Sequence, residues 1–255
     1  CLKSVLRFQI YDKVWWANDP DCSYLAPKLE SRKVGYTHQG EGMWRTWHNI
    51  VTLVGGTAMN SEPLDAEDCK AVWRNAEIMR PSSAEPGRLL TLGLSPENTI
   101  FGFAAERPYG DFAVWNFYNS AKDPKSITLD FTAGGLPPDI ECAVFDFWQN
   151  KVIARAKDTF TTAALANESS ALLRFTPLNS TDPVLVGSNL HLSLGATEIQ
   201  DIRTTPKLLE VVLTDAGAQS GSLTFHSTKP LAAGSAENCE IAGVESLGEN
   251  LWRVN

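Results

Sequence analysis

The feature that most constrains this chain is a change of apolar period at Pro81-Ser82-Ser83-Ala84-Glu85-Pro86-Gly87. Before it, Met43, Trp44, Trp47, Ile50, Val51 and Val54 recur at steps of one, three and four, the stripe of an amphipathic helix. After it, short runs such as Ile127-Thr128-Leu129-Asp130-Phe131 alternate with period two, separated by turn signals such as Asp123-Pro124 and Gly134-Gly135. A helix stripe and a strand alternation build different layers, so the break predicts two parts. Residues 1–88 should be of α/β type, and residues 89–255 an antiparallel β-sandwich.

In the first part, Leu2, Val5, Leu6 and Ile10 suggest a helix or, as the alternative, the lead-in to a strand at Val14-Trp15-Trp16. That strand runs into Asn18-Asp19-Pro20-Asp21, where Pro20 fixes its own φ and biases Asp19 towards an extended conformation. Asp21 would then sit in a stiff turn at the carboxyl edge of a sheet, where α/β folds bind ligands. Gly55-Gly56 should end the next helix, and Thr57 to Asn60 reads as a strand. Ser61 or Glu62 is then the candidate cap of a further helix, with Pro63 in its first turn and Val72, Trp73, Ala76 and Met79 on its apolar face. Strand and helix alternating in this way is the unit of an α/β barrel.

The second part offers strands at Thr99 to Ala104, Phe112 to Tyr118, Ser126 to Phe131, Ile140 to Trp148, Ala171 to Phe175, Leu208 to Leu213 and Ser222 to Phe225. Trp115 and Trp148 could stack on sugar rings, but their alternation with Phe117 and Phe147 favours core packing. Asp111 and Asp146 read as turn or strand-end residues.

Composition removes several classes of function. A formal net charge of −8 without clustered Lys and Arg argues against a nucleic-acid partner. No apolar run approaches the ~20 residues a membrane helix needs. His38, His48, His191 and His226 lack metal-ligand spacing, and the five cysteines form no Cys-x-x-Cys pair, so no metal is expected. The sequons at Asn167 and Asn179 are compatible with a secreted protein. A chain that starts at Cys1 reads as a fragment of a longer one.

The run Trp16-Ala17-Asn18-Asp19-Pro20-Asp21-Cys22 resembles the Trp-Asn-Asp-Pro-Asp-Cys/Met signature of melibiase-type α-galactosidases, glycoside hydrolase families 27 and 36. The order of the downstream segments is similar too: a helix, Gly55-Gly56, a Ser-acidic pair at Ser61-Glu62, a helix ending before Arg80-Pro81, and a β-domain containing Phe145-Asp146-Phe147-Trp148. The resemblance implies the terminal βα units of a TIM (β/α)8 barrel followed by a C-terminal β-sandwich. It further implies a retaining hydrolase of terminal α-galactosides that works with two carboxylates and no cofactor. In that family both reacting carboxylates lie upstream of the motif, so no catalytic residue is expected in this chain, and the chain alone should be inactive.

By the same resemblance Asp21 hydrogen-bonds in the substrate pocket, Cys22 forms the adjoining wall and Trp16 stands at the pocket edge. Asn18, Asp19, Pro20, Gly55 and Gly56 are structural. The chain departs from the family at Glu62, where relatives often carry Asp, and at Ser23-Tyr24-Leu25-Ala26. A galactosyl transferase of the raffinose-synthase type would carry the same features. So, for the second part alone, would a non-catalytic carbohydrate-binding or structural module.

Overall fold

A computed structural model of the chain describes residues 5, 15, 19–20, 22–30, 40–57, 59–90, 98–179 and 182–255. Its first elements are the strand β1 (Cys22–Ser23), the helix α1 (Glu41–Leu53) and the strand β2 (Met59–Asn60). β1 and β2 are parallel, with Cys22 opposite Met59. Parallel neighbours need a crossover, and α1 lies within the connection between them.

The helix forms where the stripe predicts, burying Trp44, Ile50, Val51 and Leu53. It stops because Gly55 follows the last turn at φ 71°, a left-handed conformation that costs glycine little.

The next stretch corrects the expectation of one capped helix. It holds two single turns, α2 (Glu67–Lys70) and α3 (Arg74–Glu77), and neither Ser61 nor Glu62 caps them. The Asn60 side chain accepts the Glu62 N–H at 2.8 Å, and Ala66 N–H closes a turn on the Pro63 carbonyl at 2.9 Å. These local bonds occupy the backbone that a helix starting at Ser61 would need. Trp73, expected on the apolar face, is 38% exposed, whereas Ala76 and Met79 are buried as predicted.

From β3 (Arg88–Leu89) onward the chain is built of strands: β4 (Asn98–Ala105), β5 (Phe112–Asn119), β6 (Thr128–Asp130), β7 (Cys142–Asp146), β8 (Lys151–Ala156), β9 (Thr159–Thr161), β10 (Ser169–Pro177), β11 (Val184–Ser188), β12 (Ile199–Thr205), β13 (Leu208–Leu213), β14 (Leu223–His226), β15 (Val244–Gly248) and β16 (Leu251–Val254). Antiparallel pairing orders six of them β3-β4-β5-β10-β7-β8 and four more β11-β14-β16-β15. The pairs β6-β9 and β12-β13 stand apart.

The middle strands of the six-stranded sheet, β5, β10 and β7, are buried on both faces, and their alternation sorts residues between them. Ala113, Trp115, Phe117, Leu173 and Phe175 point into one cluster, closed by Leu129, Phe131 and Phe160 of the β6-β9 side. Phe112, Val114, Phe145 and Leu172 face the other way, into a cluster shared with Ile50 and Leu53 of α1 and Leu185 and Phe225 of the second sheet. One apolar core therefore runs across residue 88.

The two sheets are in close contact at Gly187 of β11, where an added Cβ would lie 2.3 Å from the Phe145 ring. Gly187→Ala is expected to destabilise the protein by about 1–3 kcal/mol through overpacking, read from the midpoint of urea denaturation. A wild-type midpoint would mean that Phe145 has room to move.

Among the described residues there is one parallel strand-helix-strand crossover and no eight-stranded barrel. No described helix is long and apolar enough to cross a membrane.

Candidate functional site at the parallel strand pair

The carboxyl ends of β1 and β2 are held in register past the strands themselves, because Ser61 N–H donates to the Ser23 carbonyl at 3.3 Å. Ser23 and Glu62 are both buried at this edge. Two tryptophans of α1 fix the β1 backbone from the side. The Trp47 indole donates to the Cys22 carbonyl at 3.0 Å and the Trp44 indole to the Tyr24 carbonyl at 2.7 Å. The helix stripe thus supplies two donors that set the path of the chain leaving the motif. Because each indole also packs its ring, the strand exit is rigid on both polar and apolar grounds.

Behind the tryptophans lies a polar joint between α1 and the six-stranded sheet. The Asn49 amide donates to Asn116 Oδ1 at 2.8 Å and accepts from the Trp148 indole at 3.1 Å. The Thr46 and Ser170 hydroxyls are 2.9 Å apart. Trp148 also packs its ring 5.6 Å from that of Trp44, with the Arg45 guanidinium 5.0 Å over it. Trp148 is therefore committed to this joint, as core packing predicts, and Trp115 is fully buried with its N–H on the Gly134 carbonyl. Asp146 accepts from the backbone and side chain of Gln149 at 2.9 Å each, which is the strand-end role expected.

His48, on the same helix, is fully enclosed. Its Nδ1 lies 3.1 Å from the Trp44 carbonyl, which fixes the proton on Nδ1, and its Nε2 has no partner. Burial holds its pKa down at about 3, so the ring is neutral.

Of the residues singled out by the motif, Trp16, Asn18 and Asp21 lie outside the described residues. So do the helix expected around Leu2 to Ile10, except for helical Val5, and the strand expected at Val14 to Trp16, except for Trp15, which sits in a turn. Asp19 is exposed and Pro20 buried. Cys22 is half-buried within β1, so the motif leads into a described strand at Cys22. Gly55 ends α1, and Gly56 follows it with its carbonyl accepting from Ser82 Oγ.

An open cavity of about 690 Å³ runs alongside β2, lined by Met59, Asn60, Arg80, Pro81 and Ser82.

Sequence reasoning missed a second group of buried polar residues behind this cavity. His191 Nε2 is 2.7 Å from the Pro81 carbonyl, and its Nδ1 is 2.8 Å from Ser193 Oγ. Ser193 Oγ is 3.1 Å from Glu198 Oε2. Arg174, also fully buried, donates to the carbonyls of Leu194 and Leu185 and to Thr176 Oγ1, and stands 3.8 Å over the Phe112 ring. His191, Ser193 and Glu198 have the residue types of a nucleophilic triad, but each is at most 1% exposed, so no substrate reaches them. The only sequence signal was polar residues scattered through a run of alternating Leu at 190, 192 and 194. Among the described residues no group of His, Cys, Asp and Glu could hold a metal ion.

No protein-family model and no curated protein matches the sequence. Among solved structures, a wild-type GH27 β-L-arabinopyranosidase from Geobacillus stearothermophilus matches over 71% of this chain, at 12% identity and a TM-score of 0.53. A structure of the same enzyme in complex with arabinose matches over 69%, at 12% identity and a TM-score of 0.52. In both cases the match spans only 41% of the other chain. Identity this low speaks to architecture, and the chain shares its fold with part of a GH27 glycoside hydrolase.

Proposed function

We propose that this chain is the carboxyl-terminal portion of a retaining glycoside hydrolase acting on terminal α-galactosides or the stereochemically matching β-L-arabinopyranosides. The observation that carries this reading is the coincidence of the Asn18-Asp19-Pro20-Asp21-Cys22 motif with a parallel β1-α1-β2 crossover in a fold shared with GH27 enzymes. The two substrate classes belong together because β-L-arabinopyranose is a galactose-configured ring lacking its C6 group.

In this reading residues 1–88 complete a (β/α)8 barrel and residues 89–255 buttress it. Asp21 hydrogen-bonds sugar hydroxyls, as a carboxylate does well. Cys22 and Trp16 line the pocket, while the nucleophile and the acid/base belong to the rest of the barrel. Trp44 and Trp47 then act as positioning residues, holding the backbone beside Asp21 and Cys22 from outside the pocket.

The test is the enzyme expressed from its complete gene. It is expected to release galactose from 4-nitrophenyl α-D-galactopyranoside or arabinose from the β-L-arabinopyranoside, with retention of configuration. Asp21→Asn should lower kcat/KM about tenfold to a hundredfold, the loss of a charge-assisted bond of roughly 1.4–3 kcal/mol. Residues 1–255 alone should turn over neither substrate. Failure of the complete enzyme to cleave either would overturn the reading, and turnover by the isolated chain would move the reacting carboxylates into it.

A further inference from the structure

The Phe145-Asp146-Phe147-Trp148 run ends β7 in a turn that the strand-rich part fixes by itself. Phe147 N–H donates to the Leu172 carbonyl of β10 at 3.1 Å, and Asn150 N–H returns to the Phe147 carbonyl at 3.2 Å. Arg253 of β16 donates to the Asn150 carbonyl at 2.6 Å, while Asp146 holds Gln149 by backbone and side chain. Asn150 itself is left-handed, at φ 49°, a conformation that asparagine tolerates. The Phe147 ring, buried in the core, meets the Trp148 ring edge to face at 5.1 Å. Trp148 is thus aimed at α1 by contacts that belong to the strands.

There it meets two partners in two different ways. Its indole N–H can only donate, so the Asn49 amide has to present Oδ1 to it. That choice leaves Asn49 Nδ2 for Asn116 Oδ1 at 2.8 Å and for Ser170 Oγ at 3.2 Å. Asn49 is fully buried, so solvent offers no substitute for any of these partners. The Trp148 ring in turn confines Trp44, which has Trp148 at 5.6 Å and His48 at 4.4 Å. Trp44 is buried and keeps its N–H on the Tyr24 carbonyl at 2.7 Å. A ring so enclosed cannot rotate without losing that bond. Trp47 holds the Cys22 carbonyl from the same helix at 3.0 Å.

We propose that Trp148 is a positioning residue for the site at the strand pair: through Asn49 and Trp44 it fixes how α1 holds the exit of β1, and so places the backbone from Cys22 to Tyr24.

This role rests on the reading that Asp21 and Cys22 wall a sugar pocket, and it gives the strand-rich part a share in substrate binding. Contacts at such a wall reach parts of the sugar that do not react, so they hold substrate and transition state alike. Displacing the wall therefore raises KM and leaves kcat nearly unchanged. A Trp148 that merely fills space would instead lower the denaturation midpoint and leave both constants alone.

The experiment compares Trp148→Leu and Trp148→Phe in the protein expressed from its complete gene, with Phe160→Leu as the reference. Phe160 lies in the cluster on the opposite face of the six-stranded sheet, so its loss weakens the strand-rich part without touching the joint. Trp148→Leu removes both the N–H and the flat ring, and is expected to raise KM about tenfold with kcat within about twofold of wild type. Trp148→Phe keeps a ring against Trp44 but leaves Asn49 Oδ1 without its donor, so it should raise KM about threefold. Hydrogen exchange follows the relay without substrate. The Ser61 amide, which donates to the Ser23 carbonyl, should lose about tenfold of its protection in Trp148→Leu, while the β5 and β10 amides keep theirs. Phe160→Leu should leave KM and the Ser61 amide unchanged.

A wild-type KM in Trp148→Leu, an equal rise in Phe160→Leu, or unchanged Ser61 protection would each overturn the proposal. If Trp148→Leu fails to fold, Trp44→Phe takes its place, keeping a ring beside Trp148 but releasing the Tyr24 carbonyl. It should show the same rise in KM, and a wild-type KM in it counts equally against the relay. A wild-type protein that cleaves neither glycoside would sink the sugar reading alone, and the Ser61 amide then decides the relay by itself.

Discussion

Replacing Phe175 by alanine is expected to destabilise the protein by about 3–5 kcal/mol, the cost of a large cavity in a packed core. Phe175 is fully buried at the centre of an aromatic cluster, with ring centroids 5.7 Å from Phe131, 5.4 Å from Phe160 and 6.2 Å from Phe117. These neighbours arrive from β5, β9 and the turn after β6, so no single side chain can swing in to refill the space. The first two meet it edge to face, an arrangement that adds attraction beyond the area buried. Phe175 also pairs with Ala113 on β5 and Val144 on β7, so strain there spreads through the middle of the six-stranded sheet. Guanidinium denaturation should show a lower midpoint with little change of slope. A loss below about 1 kcal/mol would mean that the β6-β9 side is not part of the cooperative core. Phe175→Leu should recover most of the stability, because it restores most of the volume.

Acidification is expected to weaken the fold well before the carboxylates titrate. His48 is buried and neutral in the folded chain, with a pKa of about 3, against 6.5 when exposed. Its folded value is depressed, so its contribution is intact above pH 6.5 and is lost as pH falls towards 3. Each unit below the unfolded value gives the unfolded state about 1.4 kcal/mol, so by about pH 4.5 the loss is roughly 2.7 kcal/mol from this residue alone. Burial is the dominant cause, and the bond to the Trp44 carbonyl opposes it only in part. Urea titrations at pH 7, 5.5 and 4.5 should show this slope in the wild type. His48→Asn keeps a donor for Trp44 and cannot ionise, so its slope should be shallower by that amount. Equal slopes in the two proteins would show that water reaches the ring and keeps it ionisable. Because His48 lies between Trp44 and the polar joint of Asn49, its loss should loosen α1 from the sheet and, with it, the two indoles that hold β1.

Much of this architecture was legible because period and burial are local properties. The stripe from Met43 to Val54 became α1, and the runs at Leu208 to Leu213 and Phe112 to Tyr118 became β13 and β5 to within a residue. β8 was not seen, because Lys151 to Ala156 alternates against a polar face and reads as solvated chain. β11 was missed for the opposite reason, since Val184 to Ser188 is buried throughout and carries no alternation. β15 is short and mostly exposed and β16 short and half-buried, and the pairing of β16 with β14 and of β15 with β16 is not written in their composition.

What the sequence by itself determined is the pair of periods, the glycine that stops α1 and the motif that suggests a sugar pocket. Each depends on residues near one another in the chain. The tertiary structure alone decided which polar side chains are spent on holding the molecule together. Asn49 meets Asn116 across 67 residues, and His191 meets Pro81 across 110. A lone histidine looks the same in a sequence whether it faces water or is sealed from it. Only the fold removes its solvent, and it is that loss of solvent which turns His48 and His191 into groups that answer to pH.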